Sequence, residues 1–426
     1  MGCRLNQAET DAVQDAFASA GYRIVAFDEN PDVHYLNTCT VTGRADRSSR
    51  QYIHRARREH PDSVVIVAGC FANRAAQELV EGGEVDLVLG QREKMRPLHH
   101  LVDPFARPEQ PLIVLDAAGD SIPASVGVRV TGRSRAFLKV QDGCDHSCTY
   151  CAVAPARGPS VSASRIEVLE ALRRIKDAGY EEVVFTGVDI SDWSENDKLV
   201  GKNGSDFITL VELASEIGLP RVRISSLEPW SLTPDRIQRL AAVDAWCEHI
   251  HLALQSGDAG VLRRMNRKMD LGQVRETMQE LIRLRPQATL GADMIAGFPG
   301  ETEAAFENTV SLLHEGWIHY LHVFPYSPRP GTPAAKMRNQ VPMETLLDRA
   351  SRLRKLSDKL KNAKMLAMMG HNCELLVEQD KRTGYSKNYL RAELLADSSR
   401  GAGKRVPVKV TGFDERKKLL EVEELR

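Results

Sequence analysis

Long apolar segments are missing from this 426-residue chain, as is a strong excess of charge of either sign. No run approaches the ~20 apolar residues of a membrane span, and no charged segment followed by an apolar one opens the chain. Lysine and arginine total 57 against 58 acidic residues, a net charge of -1. These absences argue against membrane and secreted proteins, and we expect a cytoplasmic protein with no membrane partner.

Charge is uneven along the chain, although its total is close to zero. Residues 345–426 hold 19 basic and 12 acidic residues, a local net charge of +7. Such a basic region favours a nucleic-acid partner.

The order of apolar segments predicts an α/β protein. The first ~115 residues alternate helices (near 10–20 and 44–59) with strands (22–27, one ending at 34–37, and 63–68), which indicates an open α/β sheet. A proline-rich stretch, with Pro104, Pro108 and Pro111 before Gly119 and Pro123, predicts a linker and a domain boundary near residue 125. We place the first domain at residues 1–118.

Six short apolar runs, most of them separated by helical segments, follow the predicted linker: 136–141, 183–186, 222–225, 249–254, 290–296 and 320–326. They predict a parallel sheet curled into a full or partial barrel over residues 126–360, with its site at the carboxyl ends of the strands. Short strands broken by glycines at 384, 401, 403 and 412 predict a small all-β barrel over residues 364–426.

Eight cysteines without secretory features favour metal or reactive roles over disulfides. Three of them, Cys144, Cys148 and Cys151, follow the first predicted barrel strand with the spacing Cys-x3-Cys-x2-Cys. Three thiolates on one loop can hold three irons of a [4Fe-4S] cluster and leave the fourth iron open. Zinc, which prefers four closed ligands, is the alternative, with His146 as the fourth.

A second cysteine set is spread through the first domain. Cys39 and Cys70 each follow a predicted strand, and Cys3 lies near the start of the chain. Because the carboxyl ends of parallel strands meet at one edge of a sheet, Cys39 and Cys70 should converge there, and Cys3 joins them if a strand precedes it. The triple predicts a second cluster site, with buried structural thiols as the alternative. We interpret Cys247 and Cys373 as structural.

The Cys144 motif, with Tyr150 before its third cysteine, resembles the signature of the radical S-adenosylmethionine (SAM) superfamily. Further segments resemble the methylthiotransferases within it: residues 2–7 (GCRLNQ), 37–42 (NTCTVT), 68–72 (AGCFA), 221–229 (RVRISSLEP), 254–257 (LQSG), 294–301 (MIAGFPGE) and 322–333 (HVFPYSPRPGTP). The resemblance covers essentially the whole chain. It implies a cluster domain, a partial (β/α)6 radical SAM barrel and a C-terminal TRAM RNA-binding module.

The resemblance also implies cofactors and partners. These are SAM, two [4Fe-4S] clusters, a tRNA and an electron donor of the reductase or flavodoxin type; the sulfur donor is left open. In the family, the Cys144 cluster cleaves SAM to a radical that removes hydrogen from carbon 2 of an adenine. The Cys3, Cys39 and Cys70 cluster carries or delivers the sulfur, and a second SAM supplies the methyl group.

The residues after Cys39 are most similar to the family branch that acts on N6-threonylcarbamoyladenosine, next to the tRNA anticodon. The branches acting on isopentenyladenosine and on a ribosomal-protein aspartate are alternatives, as is a non-catalytic RNA-binding protein with a structural metal. Family members carry a strand before the first cysteine, whereas Met1 and Gly2 alone precede Cys3 here. We expect either that the true start lies upstream or that this strand is missing.

Individual residues follow from these predictions. Thr186 and Gly187 resemble the turn that accepts the SAM ammonium group. Ser226, Glu228 and Gln255 lie at or just past predicted strand ends, where they could bind SAM or substrate. For RNA binding, the C-terminal segment combines charge with an aromatic residue, as backbone contacts and base stacking require. The candidates there are Lys381, Arg382, Lys387, Tyr389 and Arg391.

Overall fold

The computed structural model describes residues 3–115, 125, 133–194 and 206–425. The predicted boundary near residue 125 falls largely outside these ranges. Among the described residues, the chain forms a four-stranded sheet, two adjoining three-stranded sheets, a two-stranded sheet and a closed five-stranded barrel. No described helix is both long and apolar enough to cross a membrane.

The N-terminal sheet is parallel throughout, with strand order β1-β2-β3-β4. Its elements in chain order are α1 (Arg4–Ser19), β1 (Val33–Thr38), α2 (Gly43–Glu59), β2 (Val64–Gly69), α3 (Cys70–Glu81), β3 (Leu87–Leu89) and β4 (Leu112–Val114). The central strand β2 is buried along its whole length, as its unbroken apolar sequence requires in a sheet covered on both faces. The open α/β sheet is confirmed.

Two local predictions in this domain are wrong. Residues 22–27 form no strand; a cavity of about 350 Å3 lies between this segment, α1 and β1, so the segment has no neighbouring strand to pair with. Conversely, β4 lies inside the proline-rich stretch that predicts a linker, where it pairs with β3.

The central domain contains the six predicted parallel strands. Its elements in chain order are β5 (Ala136–Lys139), β6 (Gln141–Asp142), α4 (Val153–Arg157), β7 (Val161–Ser162), α5 (Arg165–Asp177), β8 (Glu182–Thr186), α6 (Phe207–Glu216), β9 (Arg221–Ile224), α7 (Pro234–Ala242), β10 (His249–Gln255), α8 (Ala259–Arg264), α9 (Leu271–Leu284), β11 (Thr289–Ala296), α10 (Glu303–His314) and β12 (Tyr320–Pro325). The strands form two sheets, in the orders β5-β8-β9 and β10-β11-β12. The two sheets are connected by isolated β-bridges between Val222 and Trp246 and between Leu227 and Leu252. This arrangement is a partial barrel with β5 and β12 at its edges.

The N-terminal domain covers the open side of this partial barrel. Helix α1 packs beside the edge strand β5. At the other edge, just after β12, the Arg329 guanidinium donates a hydrogen bond to the Thr40 hydroxyl (2.9 Å) and pairs with Asp46. The two domains thereby enclose the space between β5 and β12.

The long helix α11 (Met343–Leu366) packs on β12 and leads to the C-terminal barrel. That barrel comprises β13 (Asn372–Val377), β14 (Thr383–Ser386), β15 (Arg391–Leu394), β16 (Arg405–Asp414) and β17 (Leu419–Glu424). The strands close in the order β13-β14-β15-β17-β16 around an apolar core of their own. The small all-β barrel is confirmed.

Candidate active site

The six cysteines of the two sets line one cavity of about 540 Å3 between the N-terminal domain and the barrel. The sets come from opposite sides: Cys144, Cys148 and Cys151 lie on the loop between β6 and α4, and the others come from the N-terminal domain. Sequence spacing predicts each set separately, whereas their meeting depends on how the two domains pack.

Gly143 sets the direction of the loop that carries Cys144. Its φ is +70°, and a Cβ at this position would lie 1.8 Å from the Pro159 carbonyl oxygen. Another residue would therefore force the two chain segments apart. The close approach is held by a hydrogen bond from the Cys144 N–H to the Gly158 carbonyl (3.1 Å).

N–H groups surround the three sulfurs of this loop. The backbone N–H of His146 donates to Cys144 Sγ (3.4 Å), that of Val153 donates to Cys151 Sγ (3.3 Å), and Arg267 Nη1 lies 3.7 Å from Cys148 Sγ. Burial raises the pKa of the Cys144 thiol to about 12. A bound metal supplies the positive charge that a buried thiolate needs, so the three side chains fit a metal cluster.

The zinc alternative has one feature in its favour. Ligand atoms of Cys144, His146 and Asp189 lie within 4.8 Å of one another. That set, however, leaves out Cys148 and Cys151, and the His146 imidazole already pairs with the Asp189 carboxylate at 3.0 Å. The three sulfurs on one loop favour an iron–sulfur cluster over zinc.

In the N-terminal set, Cys39 follows β1, Cys70 begins α3, and Cys3 directly precedes α1. Burial raises the pKa of the Cys39 thiol to about 11, and the neighbouring Cys3 and Cys70 sulfurs add to the increase. All three thiols line the same cavity, so the N-terminal set converges there. Gly69 permits the approach, because a Cβ there would lie 2.4 Å from the Thr38 carbonyl oxygen.

A buried group of five charged side chains connects the two cysteine sets. It consists of Glu9, Lys94, Lys139, Asp142 and Arg157, each almost inaccessible to solvent. Arg157 Nε donates to Cys70 Sγ (3.1 Å), while its Nη1 donates to Asp142 (2.8 Å) and Glu9 (3.0 Å). Three cations face two carboxylates, and the remaining positive charge lies beside the Cys70 sulfur. This surplus fits Cys70 as a thiolate ligand.

The predicted SAM-binding residues all line the same cavity: Tyr150, Thr186, Gly187, Ser226, Glu228 and Gln255. A Cβ at Gly187 would lie 2.7 Å from the Gln141 side-chain oxygen, so this glycine lets the turn approach β6. Glu228 is held by an ion pair with Arg267, whose guanidinium also lies over the Trp230 ring at 4.8 Å.

The predicted RNA-binding residues divide into two groups. Lys381, Arg382 and Arg391 are exposed on the C-terminal barrel. Lys387 donates to the Asp244 carbonyl, and the Tyr389 ring packs on His249 (4.5 Å between ring centroids) and under Arg223. Lys387 and Tyr389 therefore hold the C-terminal barrel against the central domain.

Several polar residues that line the cavity were not predicted from the sequence: Arg4, Arg157, His249, His251, Arg267, Asp293, Tyr320 and His322. One signal was available, because His249 and His251 alternate along a strand and so share one face. The arginines had no comparable signal, since their contacts lie far away in sequence.

Comparisons with known proteins agree with this geometry. Residues 138–313 match the Radical SAM superfamily, and residues 1–90 match Uncharacterized protein family UPF0004. Among solved structures, the radical SAM methyltransferase TsrM from Kitasatospora setae aligns with a TM-score of 0.53 at 15% identity. The alignment covers 77% of this chain and 72% of that one and supports the fold alone.

Curated relatives match nearly the whole chain. Threonylcarbamoyladenosine tRNA methylthiotransferase MtaB of Bacillus subtilis is 36% identical over 96% of this chain and 92% of its own length. The protein of the same name from Aquifex aeolicus is 32% identical over 96% and 98%. A tRNA-2-methylthio-N(6)-dimethylallyladenosine synthase from Moorella thermoacetica is 31% identical over 90% and 86%. With this identity across almost the full length of both proteins, the chain belongs to the MtaB-like radical SAM methylthiotransferases.

Proposed function

We propose that this protein adds a methylthio group to carbon 2 of N6-threonylcarbamoyladenosine in tRNA. One observation carries the proposal: both cysteine triples line a single cavity. A base bound in that cavity would lie between the two cysteine sets. The relatives named for threonylcarbamoyladenosine support this substrate over isopentenyladenosine.

The reaction needs cofactors because an aromatic C–H has neither an acidic proton nor a leaving group for side chains to act on. SAM and two [4Fe-4S] clusters, when bound, supply the radical and the sulfur chemistry. We assign Cys144, Cys148 and Cys151 to one cluster and Cys3, Cys39 and Cys70 to the other.

The chain's own residues bind and orient SAM. The Thr186-Gly187 turn presents the end of β8 to the cavity, and Ser226 and Gln255 do the same at the following strands. The Glu228 carboxylate is fixed by Arg267, which also approaches Cys148, so this pair links SAM binding to the cysteine loop. Tyr150, on the cysteine loop, packs edge-on against Phe298 and so anchors the loop on the central domain.

We assign three domains to the protein, at residues 1–118, 126–360 and 364–426. Separate apolar cores in the N-terminal sheet, the partial barrel and the C-terminal barrel support this division. The exposed Lys381, Arg382 and Arg391 would contact RNA phosphates. Because SAM cleavage consumes an electron, we propose a reductase or flavodoxin-type electron donor as a partner, and a tRNA substrate supports a cytoplasmic location.

Iron and sulfide content tests the two cluster sites. We expect about eight irons per chain in anaerobically reconstituted protein and about four in Cys70→Ala and in Cys148→Ala, since each loses one cluster. The Cys373→Ala variant is the control, because Cys373 lies in the C-terminal barrel. A colourless protein that binds zinc and leaves SAM intact under reduction would contradict the proposal.

Nucleoside mass analysis tests the substrate. A deletion strain should lack methylthiolated threonylcarbamoyladenosine, and the wild-type gene should restore it, whereas the Cys148→Ala gene should not. If the missing nucleoside were the methylthiolated isopentenyl form, or if an aspartate of a ribosomal protein lost its modification, the chemistry would stand and the substrate would be wrong.

A further inference from the structure

A row of polar side chains crosses the sheet β10-β11-β12 on its inner face. His249 and His251 lie on β10, and Tyr320 lies on β12, with β11 between them. The Tyr320 ring reaches across β11 because residue 291 is glycine: a Cβ there would lie 2.1 Å from the ring. A residue with any side chain at 291 would separate Tyr320 from β10.

The row forms a continuous chain of hydrogen bonds. The Tyr320 hydroxyl lies 2.8 Å from His249 Nε2 and 2.9 Å from His251 Nδ1, and His251 Nε2 lies 2.9 Å from Asp293 Oδ1. Burial lowers the pKa of both histidines, which favours their neutral form. With Asp293 ionised, one arrangement of protons satisfies every contact: His249 donates to Tyr320, Tyr320 donates to His251, and His251 donates to Asp293.

At its Asp293 end, this row of hydrogen-bonded side chains opens into the cavity that the cysteines line. Exposure of the side chain rises from 5% at His251 to 20% at Asp293 and 55% at His322, whose Nδ1 lies 3.4 Å from Asp293 Oδ1. The described part of the protein offers Asp293 no lysine or arginine partner. Among the described residues, this carboxylate is paired with the imidazoles of His251 and His322.

Arg4 brings a positive charge to the same cavity. Its guanidinium donates to the Tyr389 hydroxyl, and the Tyr389 ring in turn packs on His249. Within the described ranges, Arg4 forms no ion pair with a carboxylate. The cavity wall thus presents an unpaired cation, a carboxylate and an accessible imidazole.

The position of the reacting carbon determines what this wall meets. In adenine, carbons 2 and 6 both adjoin N1, so a base whose carbon 2 lies between the cysteine triples keeps its N6 substituent within the same cavity, which this wall lines. Covering the Arg4 guanidinium and the Asp293 carboxylate with a hydrocarbon chain costs free energy, because these groups lose water and gain no polar partner from the chain. The wall therefore disfavours an apolar substituent.

We propose that Arg4, Asp293 and His322 bind the polar substituent on N6 of the substrate base. Arg4 binds its carboxylate, Asp293 accepts a hydrogen bond from an N–H group, and His322 contacts a hydroxyl or carbonyl oxygen. These three residues select a carboxylate-bearing substituent over a hydrocarbon one. This assignment rests on the proposed function and names the residues that recognise the N6 substituent of the substrate.

Binding of three anticodon stem-loop RNAs to the reconstituted enzyme tests this assignment, with SAM present and no reductant so that no turnover occurs. The RNAs carry threonylcarbamoyladenosine, isopentenyladenosine or adenosine at the same position. Wild type should bind the first most tightly. The Arg4→Gln, Asp293→Asn and His322→Phe variants should each lose about tenfold or more of this preference over adenosine, as expected for a lost hydrogen bond to a charged group.

The matched control is Arg382→Gln on the C-terminal barrel, which should weaken all three RNAs alike and leave the preference unchanged. Iron content and thermal unfolding show whether each variant still folds and holds its clusters. His322→Phe is the least disruptive change, because more than half of this side chain is exposed.

Two results would overturn the inference while leaving the proposed function intact. In one, the enzyme methylthiolates threonylcarbamoyladenosine and folded variants keep the wild-type preference. In the other, wild type binds one equivalent of added zinc that His322→Phe does not, since ligand atoms of His251, Asp293 and His322 lie within 4.8 Å and could hold a cation. A wild-type enzyme that neither prefers nor modifies this nucleoside would contradict the proposed function itself.

Discussion

At the level of single residues, Arg157 contacts more groups of the site than any sequence motif indicates. Its guanidinium contacts the Cys70 sulfur, Asp142, Glu9 and the Asn6 side chain, all buried. Burial, together with the same positive charge, lowers the pKa of Lys94 to about 8. Arg157 therefore acts both on the folded structure and on the electrostatic environment of the N-terminal cysteines.

Replacing Arg157 with Gln should have two effects. Two buried carboxylates lose a partner, so the free energy of unfolding should fall by about 3–5 kcal/mol. A cluster held by Cys70 also loses a nearby positive charge and an N–H donor, so its reduction potential should become more negative. Urea unfolding and EPR-monitored redox titration measure the two effects.

The control for Arg157 is Arg50→Gln, which removes an exposed ion pair with Glu78. Such pairs contribute about 0–1 kcal/mol, and this one should leave the potential unchanged. An Arg157→Gln protein with wild-type stability and potential would show that the buried charges rearrange without cost.

At the level of elements, β11 depends on having no side chain at residue 291. Its neighbours on the inner face are large, and the Tyr320 ring occupies the space that a Cβ would need. Glycine is unfavourable inside a strand, so its presence here marks the close approach of another group. The conformation of the strand is ordinary, and the requirement comes from packing alone.

Gly291→Ala should displace the Tyr320 ring and break its hydrogen bonds to His249 and His251. We expect a loss of about 1–3 kcal/mol in unfolding free energy, the usual cost of overpacking. Chemical denaturation measures it. Gly82→Ala is the control, because a Cβ there meets its nearest atom at 3.5 Å. Equal stability of the two variants would mean that Tyr320 does not need its present position.

At the level of the whole molecule, the C-terminal barrel is docked on the central domain through a second buried charge group. Glu182 at the start of β8 is fully buried and pairs with Arg221 (2.7 Å) and Arg223 (3.0 Å). Arg221 also donates to the backbone carbonyls of Tyr385 (3.3 Å) and Ser386 (3.0 Å) in the C-terminal barrel. The Glu182 carboxylate thus fixes Arg221 and Arg223, and Arg221 in turn binds the C-terminal barrel.

Glu182→Gln should destabilise the protein by about 3–5 kcal/mol, because it leaves buried guanidinium groups without their carboxylate. The neighbouring Glu181→Gln is the matched control: it removes only half-exposed pairs with Lys404 and Arg405 and should cost about 0–1 kcal/mol. Thermal unfolding compares them, and limited proteolysis detects release of the C-terminal barrel. Similar losses in both variants would show that the domains dock independently of Glu182.

The sequence determined the parts of this protein that depend on local pattern. Cysteine spacing predicts the three-sulfur loop, because its ligands lie within eight residues, and strand periodicity predicts all six barrel strands. The failure at residues 22–27 has a tertiary cause: an apolar segment becomes a strand only where another strand pairs with it. Sequence pattern alone does not supply that partner.

Tertiary structure decided which side chains meet. Arg157 reaches Cys70 across 87 positions, and Tyr320 reaches His249 across 71. Tyr389, a candidate for base stacking by its sequence context, instead packs between Arg223 and His249 because the C-terminal barrel docks with that face inward. Burial and charge pairing fix these contacts, and both depend on how whole domains pack, whereas ligand spacing and strand periodicity are properties of the chain itself.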